Sequence, residues 1–499
     1  TIILSEEGLL ETPQAMACAD DARVARIAAE VMRAGGNAVD AVVAAALAAC
    51  VVNPHLFSLA GAGGLVLIWQ EKKNSAYAVD FPPVAPLDVK PGAFALLPAG
   101  EVKDDSYLVG ARAVTIPTVM PGLARTLEQF GTLTLKETAA PAIKLASDKI
   151  LVNASLARSS HLPHIRRFPD TARCFMPRNR PLRAGAALSL PGQAALLQKV
   201  AEEGPDTFST GEVARSIVNH LHAMGGLLSL KDLAQYRPRV YPAFRGTFSD
   251  TLILGGPAST SSISMLLLTL NILEGFNLSS LQCRSMEAVH RVVEAVKLAW
   301  VEHRRALAHV GKRIHPLELM AAKSLAAKLQ SAVEPNHAVI HPPSYRSPLD
   351  IHPDISSHIA AVDTENNIAV LSQTMGAGLF GCGITVPDWN LVLNNGIALF
   401  DLRRGRPHSL DSGKRARLLL GSVVALKKGR PFLAVGATGG LAAVAPLAHL
   451  LVDVLVHNQP IRQALTLPRL FCEERGALVV ERTLPPTVRR SLQKMGHRH

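Results

Sequence analysis

Asp354-Ile355-Ser356-Ser357-His358-Ile359-Ala360-Ala361-Val362-Asp363 is the stretch around which the chain is organised. Its apolar second half predicts a short strand. The residues before it, 341–353, are rich in Pro and His, which predicts an exposed loop. A hydroxyl residue therefore stands where a long loop meets a strand. The tripeptide Ser356-Ser357-His358 is also typical of ordinary surface turns, so the rest of the chain has to decide between the two interpretations.

A hydroxyl at such a junction can cleave the peptide bond that precedes it in its own chain. Ser356 would attack the carbonyl carbon of Ile355, the amide would become an ester, and hydrolysis of the ester would leave Ser356 as a new N-terminus. Its hydroxyl would then be a nucleophile and its freed α-amine a general base. An α-amine titrates near ~7.7–8.0, so much of it can accept a proton around neutral pH.

Composition limits the class of protein. The chain has 499 residues, of which 48% are hydrophobic and 18% charged, the balance of a soluble globular protein. This length exceeds the usual size of one hydrophobic core, so we expect two lobes or two subunits. The longest apolar run, Ala41 to Val52, is too short to span a bilayer and predicts a buried helix. Residue 1 is Thr, so a membrane anchor is expected only if it was removed upstream of Thr1.

Charge and cysteine spacing exclude two further classes. The net charge is +12, but aromatic residues make up only 4%, which is poor for base stacking, so we expect a solvated basic surface and no nucleic-acid partner. An anionic substrate remains compatible with this charge. The six cysteines lie far apart without a CxxC pair, which indicates neither a zinc site nor a disulfide scaffold.

The N-terminal region predicts two helices followed by a strand. Asp20-Asp21 can cap a helix whose apolar residues recur at helical spacing, and Gly35-Gly36 ends it. Asn37 can start the next helix, Ala38 to Cys50, which is nearly all Ala and Val and should be buried on most sides. A glycine-rich turn, residues 58–64, then precedes the strand Leu65 to Trp69, which implies close backbone approach where that strand begins.

A series of short motifs follows in a fixed order along the chain. The motifs are Gly35-Gly36-Asn37-Ala38-Val39-Asp40-Ala41, Val51-Val52-Asn53-Pro54-His55, Pro121-Gly122-Leu123, Phe130-Gly131-Thr132-Leu133, Ala140-Pro141-Ala142-Ile143-Lys144-Leu145-Ala146, Gly225-Gly226-Leu227, Asp232-Leu233-Ala234-Gln235-Tyr236-Arg237-Pro238, Leu270-Asn271-Ile272-Leu273-Glu274-Gly275, Leu393-Asn394-Asn395, Gly413-Lys414-Arg415 and Gly436-Ala437-Thr438-Gly439-Gly440. In these motifs the chain resembles the γ-glutamyltransferase (γ-glutamyltranspeptidase) family of N-terminal nucleophile hydrolases over nearly its whole length. The resemblance implies an α+β fold, a four-layer αββα sandwich.

The resemblance implies that Ser356 is the nucleophile, at a position where the family has Thr. Serine keeps the hydroxyl and loses the methyl group that restricts χ1, and other N-terminal nucleophile acylases use serine. Thr374 aligns with a hydroxyl residue that hydrogen-bonds the nucleophile and aids self-cleavage; a structural, inward-facing strand Thr is the alternative. Substrate contacts are implied at Ser357 and Asn395. His358 is expected to be structural, and neither a metal nor an organic cofactor is expected.

A glycine pair supplies the candidate oxyanion hole. The strand Phe432 to Val435 leads to Gly439 and Gly440, and residues 441–457 predict an apolar helix. Backbone N–H groups at a helix N-terminus are free to stabilise developing negative charge. On local sequence alone, an ordinary strand-to-helix turn is an equal alternative; the resemblance favours the oxyanion hole.

The chain departs from the family where the substrate is held. Pro82 stands in place of the Arg that grips the substrate α-carboxylate, and Pro cannot make a bidentate contact. Ala398 and Leu399 replace the acidic pair that holds the substrate amine, and Leu418 and Leu419 replace the paired serines that hold the carboxylate. A site with these changes does not bind a buried zwitterion. We therefore expect γ-glutamyl specificity to be lost in favour of a different, less polar acyl group.

These inferences predict a self-processing amidohydrolase or acylase. Residues 1–355 would form a large-subunit-like region and residues 356–499 a small-subunit-like region, which would stay together as a heterodimer and act on a small-molecule amide or γ-glutamyl-like substrate.

The family continues with more strands where this sequence stops at His499, so we expect a shortened C-terminal region. The lost substrate residues favour, as an alternative, an uncleaved relative with a binding or scaffold role; carbon–carbon bond cleavage is a third option. The resemblance favours the periplasmic or extracellular side.

Overall fold

The computed structural model describes residues 15–90, 92–97, 102–307, 316–339, 354–406, 408–472 and 477–497. The loop predicted over 341–353 lies outside these residues. Helices in the described part are α1 Ala22–Arg33, α2 Ala38–Val52, α3 Val119–Phe130, α4 Leu135–Ser147, α5 Ala154–Ser159, α6 Pro169–Phe175, α7 Pro191–Glu203, α8 Glu212–His222, α9 Leu230–Gln235, α10 Ile263–Glu274, α11 Met286–Leu307, α12 Pro316–Leu319, α13 Lys323–Gln330, α14 Val444–Leu455, α15 Ile461–Thr466 and α16 Pro486–Lys494.

The strands form two large antiparallel sheets and three two-stranded ribbons. The first sheet has the order β1-β9-β10-β2-β3-β6 and the second the order β14-β13-β8-β7. The strands are β1 Met16–Ala19, β2 Gly63–Gln70, β3 Ser75–Phe81, β4 Ile150–Leu151, β5 Ala187–Leu188, β6 Arg239–Pro242, β7 Phe244–Phe248, β8 Thr251–Gly255, β9 Asp354–Val362, β10 Ile368–Ala377, β11 Thr385–Val386, β12 Leu391–Val392, β13 Gly421–Lys427, β14 Arg430–Ala437, β15 Leu470–Cys472 and β16 Leu478–Val480.

Helix caps explain where the first helix layer begins. The Asp21 carboxylate accepts a 3.0 Å hydrogen bond from the Arg23 N–H at the start of α1. Asn37 and Asp40 form a reciprocal capping box at the start of α2, as the sequence predicted for an Asn at this point. Every residue of α2 is buried, and α2 packs across β9 and β10 of the first sheet. The helix layer therefore lies directly behind the strand that carries Ser356.

The second sheet is covered by α10, α11 and α14, which share one apolar core. Between the sheets, Leu67 and Val370 of the first sheet pack against Leu254 and Val424 of the second. The layer order is therefore helix, sheet, sheet, helix, which confirms the predicted αββα sandwich.

Most predicted elements are confirmed, with longer strands than predicted. The strand predicted over Leu65 to Trp69 begins at Gly63, so it includes the last two residues of the predicted glycine turn. A Cβ atom at Gly64 would lie 2.3 Å from the Phe81 ring, so the backbone does approach closely there. No helix in the described part of the chain is long and apolar enough to cross a membrane.

Candidate active site

Ser356 lies near the start of β9, between the two sheets. Its side chain is buried, and its partner across the first sheet is Thr374 of β10, which is paired in turn with Gly63 of β2. Side chains alternate between the faces of a strand. Ala360 and Val362 lie four and six residues after Ser356, on the same face of β9. They pack in the apolar cluster between the sheets. Ser356 therefore faces the space between the sheets, at the end of the sandwich where β9 begins.

Ser357 faces the opposite side. It pairs with Gln373, whose Nε2 atom donates to the carbonyl oxygen of Leu56 in the helix layer. The next residue on this face, Ile359, belongs to the core under α2. The geometry does not bring the side chains of Ser356 and Ser357 together, so a substrate contact by Ser357 stays a prediction that the strand alternation does not favour.

A threonine that the sequence did not single out joins the two sheets at Ser356. The Thr438 hydroxyl donates a 2.6 Å hydrogen bond to the carbonyl oxygen of Ser356, across 82 positions of sequence. Thr438 directly follows β14 and directly precedes Gly439 and Gly440. The predicted diglycine turn therefore lies beside the predicted nucleophile.

The diglycine turn has a backbone that only glycine adopts readily. Gly439 has φ +121° and Gly440 has φ +59°. A 3₁₀ turn, Gly440–Ala443, begins at the second glycine. Helix α14 begins only at Val444, later than the predicted start at Leu441. Backbone N–H groups in the first turn of such a segment have no partner within the helix. The oxyanion role of the two glycines stays a prediction, and the geometry is compatible with it.

A cavity lies on the β14 side of this turn. A cavity of about 410 Å³ is lined by Thr438, by Gly436 and Ala437 of β14, and by side chains of α14 and the segment around Arg469. The Arg469 guanidinium is already bonded to the carbonyl oxygens of Ala464, Leu465 and Leu467. Thr438 is the residue that connects this cavity to the Ser356 carbonyl, and Ser356 itself is not among the lining residues.

Thr374 is next to Ser356, but it forms no hydrogen bond with the Ser356 hydroxyl in this structure. Thr374 Oγ1 donates to the carbonyl oxygen of Gly376 at 3.1 Å and accepts from the Gly376 N–H at 3.0 Å. Ser356 Oγ is buried and has no hydrogen-bond partner among the described residues. The predicted hydroxyl–hydroxyl bond is therefore not formed, because the Thr374 hydroxyl is engaged with the backbone of its own strand.

His358 is part of a polar connection between the sheets. Its Nδ1 atom lies 2.6 Å from Ser372 Oγ, and Ser372 Oγ is hydrogen-bonded to Ser422 Oγ of the second sheet. Gly436 of β14 lies against the imidazole, since a Cβ atom there would be 2.5 Å from His358 Nδ1. Burial lowers the pKa of His358 to about 3, so the ring is neutral at physiological pH. These contacts agree with the expected structural role.

The residues that replace the family's substrate contacts are buried and mostly apolar. Leu418 lies over Gly63, where a Cβ atom would be 2.8 Å from Leu418 Cδ1. Leu399 belongs to the same apolar cluster as Leu418, and Ala398 lies beside Leu399 in a 3₁₀ turn. Pro82 directly follows β3. Since Gly63 is the partner of Thr374, Leu418 lies two strands from Ser356 on the face that Ser356 shares.

The other two predicted substrate residues have structural contacts. Leu419 packs in the core beneath α10 and α11. Asn395 donates through Nδ2 to the carbonyl oxygens of Ala377 at 2.7 Å and Leu108 at 3.1 Å, which ties two loops together. A substrate contact by Asn395 stays a prediction; its Oδ1 atom is buried, and no described residue forms a hydrogen bond with it.

A buried carboxyl group at this end of the first sheet was not predicted as a site residue. Asp80 pairs with Leu65, whose other partner is Ser372. Burial raises the pKa of Asp80 to about 7, and the positive charges of Arg415 and Arg239 limit the rise. Asp80 is therefore a second group, besides a freed α-amine, that would titrate near neutral pH.

One buried cluster has the residue types of a metal site. His290 Nδ1 lies 2.8 Å from His497 Nε2, and Glu294 is one helical turn from His290 on α11. Lys297 forms an ion pair with Glu294 and donates at 2.9 Å to the carbonyl oxygen of Val339. Because Lys297 neutralises the carboxylate and the two imidazoles bond each other, a divalent cation would add uncompensated buried charge. The cluster is better explained as a polar contact that fixes residues 334–339 and the C-terminal segment to α11.

Comparisons with known proteins identify the family of the chain. The family model described as Gamma-glutamyltranspeptidase matches residues 24–499. The chain is 30% identical over 478 residues to the acylase ACY 1 proenzyme of Pseudomonas sp. (strain SE83), covering 94% of this chain and 84% of that protein. It is 26% identical over 505 residues to the glutathione hydrolase proenzyme of Escherichia coli (strain K12), covering 97% and 86%.

Solved structures show the same fold. The crystal structure of cephalosporin acylase from Bacillus halodurans superposes with a TM-score of 0.85 at 22% identity, covering 99% of this chain and 90% of that chain. Helicobacter pylori gamma-glutamyltranspeptidase superposes with a TM-score of 0.60 at 23% identity, covering 68% and 95%. Because the family model matches residues 24–499, almost the full length, the chain belongs to the gamma-glutamyltranspeptidase family.

Proposed function

We propose that the chain cuts itself between Ile355 and Ser356 and then hydrolyses a small-molecule amide through an acyl-Ser356 intermediate. Segments 1–355 and 356–499 would remain associated as large and small subunits. The observation that carries this proposal is the hydrogen bond from Thr438 to the Ser356 carbonyl, because it fixes the diglycine turn beside the residue that must react. The proenzyme and acylase names of the relatives support an enzyme over an uncleaved scaffold protein.

Each step uses groups of this chain. The freed α-amine of Ser356 takes the proton from its own hydroxyl while Oγ attacks the substrate carbonyl carbon. The N–H groups of Gly439 and Gly440 stabilise the negative oxygen that forms. The protonated amine then gives its proton to the leaving nitrogen as the carbon–nitrogen bond breaks. Water attacks the acyl ester by the same route and releases the acid.

The acyl side of the site explains why γ-glutamyl transfer is not proposed. Leu418, which lies over Gly63, and Leu399 of the same apolar cluster replace the groups that in the family bind the ammonium and carboxylate of an amino acid. Burying those charges against alkyl groups would be unfavourable. A gel of freshly purified protein and a panel of acyl amides test the proposal; an uncleaved chain, or cleavage of γ-glutamyl amides alone, would contradict it.

Thr438→Val should slow self-cleavage about 10-fold, since losing the partner of a buried carbonyl typically costs about 1–3 kcal/mol. The substitution keeps the side-chain shape and removes only the hydroxyl that bonds Ser356. Thr438→Ser keeps the hydroxyl and should stay within about threefold of the unmodified chain. A time course of fragment formation from newly synthesised protein measures both variants. Equal rates for the two would show that this hydrogen bond has no part in the reaction.

The pH dependence should identify the general base. Activity requires a neutral α-amine, so kcat/KM should rise as pH passes through about 7–8 and level off above it. His358 cannot cause this rise, because burial keeps its pKa near 3. Asp80 could, since its pKa is raised to about 7. Asp80→Asn should therefore retain the rise; its disappearance in that variant would assign the titration to Asp80 instead.

A further inference from the structure

The hydrogen bonds of β10 fix the direction in which the backbone of Ser356 points. The carbonyl oxygen of Thr374 accepts from the N–H of Ala62 at 3.0 Å, so the backbone polar groups of Thr374 face β2. Ser356 and its partner Thr374 therefore form a non-hydrogen-bonded pair, in which the N–H and C=O of Ser356 point away from β10. The hydrogen bond from Thr438 to the Ser356 carbonyl oxygen lies on this outer edge of β9.

Strand β1 covers only part of the outer edge of β9. Its last residue, Ala19, is paired three residues beyond Ser356. The next residue, Asp20, is half-buried, and its carboxylate lies beside the Ser357 hydroxyl and the N–H of His358. A carboxylate side chain therefore follows the β1 backbone at the point where this edge approaches the predicted nucleophile.

The α-amine that self-cleavage would release lies on the same edge. The backbone nitrogen of Ser356 becomes this amine, and it points to the side of β9 on which Asp20 lies. The nitrogens of Ser356 and His358 are two residues apart, about 7 Å at the usual rise of a strand. A carboxylate beside the His358 N–H is therefore close enough to interact with an ammonium group at position 356.

The two adjacent carboxylates of this segment have different contacts. Asp21 is the N-cap of α1 and forms a 2.8 Å ion pair with Arg23, whereas Asp20, which the sequence suggested for the same cap, does not cap the helix. Burial raises the pKa of Asp20, and the neighbouring Ser357 hydroxyl opposes this rise. Ser357 Oγ makes no full hydrogen bond to a described residue, so the Asp20 carboxylate can still accept one from an amine.

The other groups around this edge supply little net charge. His358 is neutral, because burial lowers its pKa to about 3. The facing residue of β10 and the diglycine turn are uncharged. Beyond Thr438, the cavity is lined by Arg469 and Glu481, whose opposite charges offset each other. Asp20 is thus the described side chain that brings a negative charge to this part of β9.

We propose that the Asp20 carboxylate holds the freed α-amine of Ser356 and favours its protonated form, so that Asp20 is a positioning residue for the general base. This inference rests on the proposed self-cleaving acylase function. A neighbouring negative charge makes the amine a stronger base, which helps it to take the proton of the Ser356 hydroxyl. An acceptor beside the amine also fixes its orientation toward Oγ.

Variants of Asp20 separate the effect of its charge from the effect of its hydrogen bond. Asp20→Asn keeps an acceptor oxygen and removes the charge. Its rise in kcat/KM should move down by about 0.5–1 pH unit, because an amine without a neighbouring anion loses its proton at lower pH. The plateau above the rise should stay within about threefold. Asp20→Ala should show the same shift and a plateau about 10-fold lower, whereas Asp20→Glu should keep the midpoint.

The adjacent carboxylate supplies the matched control. Asp21→Asn removes one negative charge a single residue away, at a carboxylate that is already paired with Arg23. Asn also caps helices well, so this variant should fold and keep the midpoint of the unmodified protein.

A second measurement reads the amine without turnover. The small-subunit amine is labelled with trace acetic anhydride across a range of pH, and the labelled N-terminal peptide is quantified by mass spectrometry. The pKa of the amine obtained in this way should fall in Asp20→Asn by the same amount as the kinetic midpoint.

The outcomes separate this inference from the function on which it rests. An active enzyme whose midpoint and amine pKa do not change in Asp20→Asn would overturn the role of Asp20 and leave the acylase function in place. An equal shift in Asp21→Asn would also overturn it, because the effect would then be one of overall charge. An Asp20→Asn chain that stays uncut, while Asp20→Glu is cut, would assign the carboxylate to self-cleavage instead. An unmodified protein that stays uncut has no amine at position 356, which would overturn the acylase function and this inference together.

Discussion

Replacing Ser356 by Ala is expected to leave a single chain of 53.2 kDa with no acylase activity. The hydroxyl that would attack Ile355 is then gone, and the α-amine that would act as base is never released. Intact mass of the freshly purified protein and an acyl-amide assay measure both losses. Activity should fall to background, because the nucleophile and the base are lost together.

The chain offers two matched controls for this substitution. Ser357→Ala makes the same change one residue away, on the face that points to the helix layer, and should still cleave and turn over. Ser356→Thr introduces the residue that the family uses and should retain cleavage. A Ser356→Ala protein that still yields two fragments would remove Ser356 from the mechanism altogether.

Gly439→Ala is expected to lower kcat by about 10²–10³, the typical effect of losing one oxyanion-hole donor. The space around Gly439 can hold a methyl group, since the nearest atom to an added Cβ is 3.7 Å away. The backbone cannot remain as it is, because φ +121° is strained for any residue with a Cβ atom. The turn should therefore rotate and move its N–H groups away from the reacting oxygen, with a smaller effect on KM.

Gly429→Ala separates this effect from general loss of stability. Gly429 also has positive φ, at +75°, with nothing near an added Cβ, but it lies in the hairpin at the opposite end of β14. Its substitution should lower the melting temperature and leave kcat within about twofold. If both alanine variants lose the same stability and neither has a lower kcat, the diglycine turn does not hold the oxyanion.

Elements with a local signal could be predicted from the sequence. The caps at Asp21 and Asn37 fixed where α1 and α2 begin, because a cap acts over three residues. The apolar run after Ser356 predicted a strand, and the family motifs supplied the order of layers. The start of α14 was predicted three residues early, because glycines with positive φ continue into a 3₁₀ turn before regular helix begins.

Contacts between distant strands could not be predicted from residue patterns. The bonds from Thr438 to Ser356 and from Ser422 to Ser372 span 82 and 50 positions, and strand alternation does not reveal which strands of two sheets meet. A Thr directly before a glycine pair was the one local signal available, and it carried no indication of its partner.

The position of β9 inside the first sheet has a practical consequence. It is paired with β10 from Asp354 to Val362 and with β1 from Met16 to Ala19, so the strand is held on two sides by segments that lie upstream and downstream of the bond to be cut. Two polypeptides expressed separately, one ending at Ile355 and one starting at Ser356, should therefore assemble into a working enzyme without any maturation step. Such a split enzyme would allow each half to be labelled, or exchanged for that of a relative, independently.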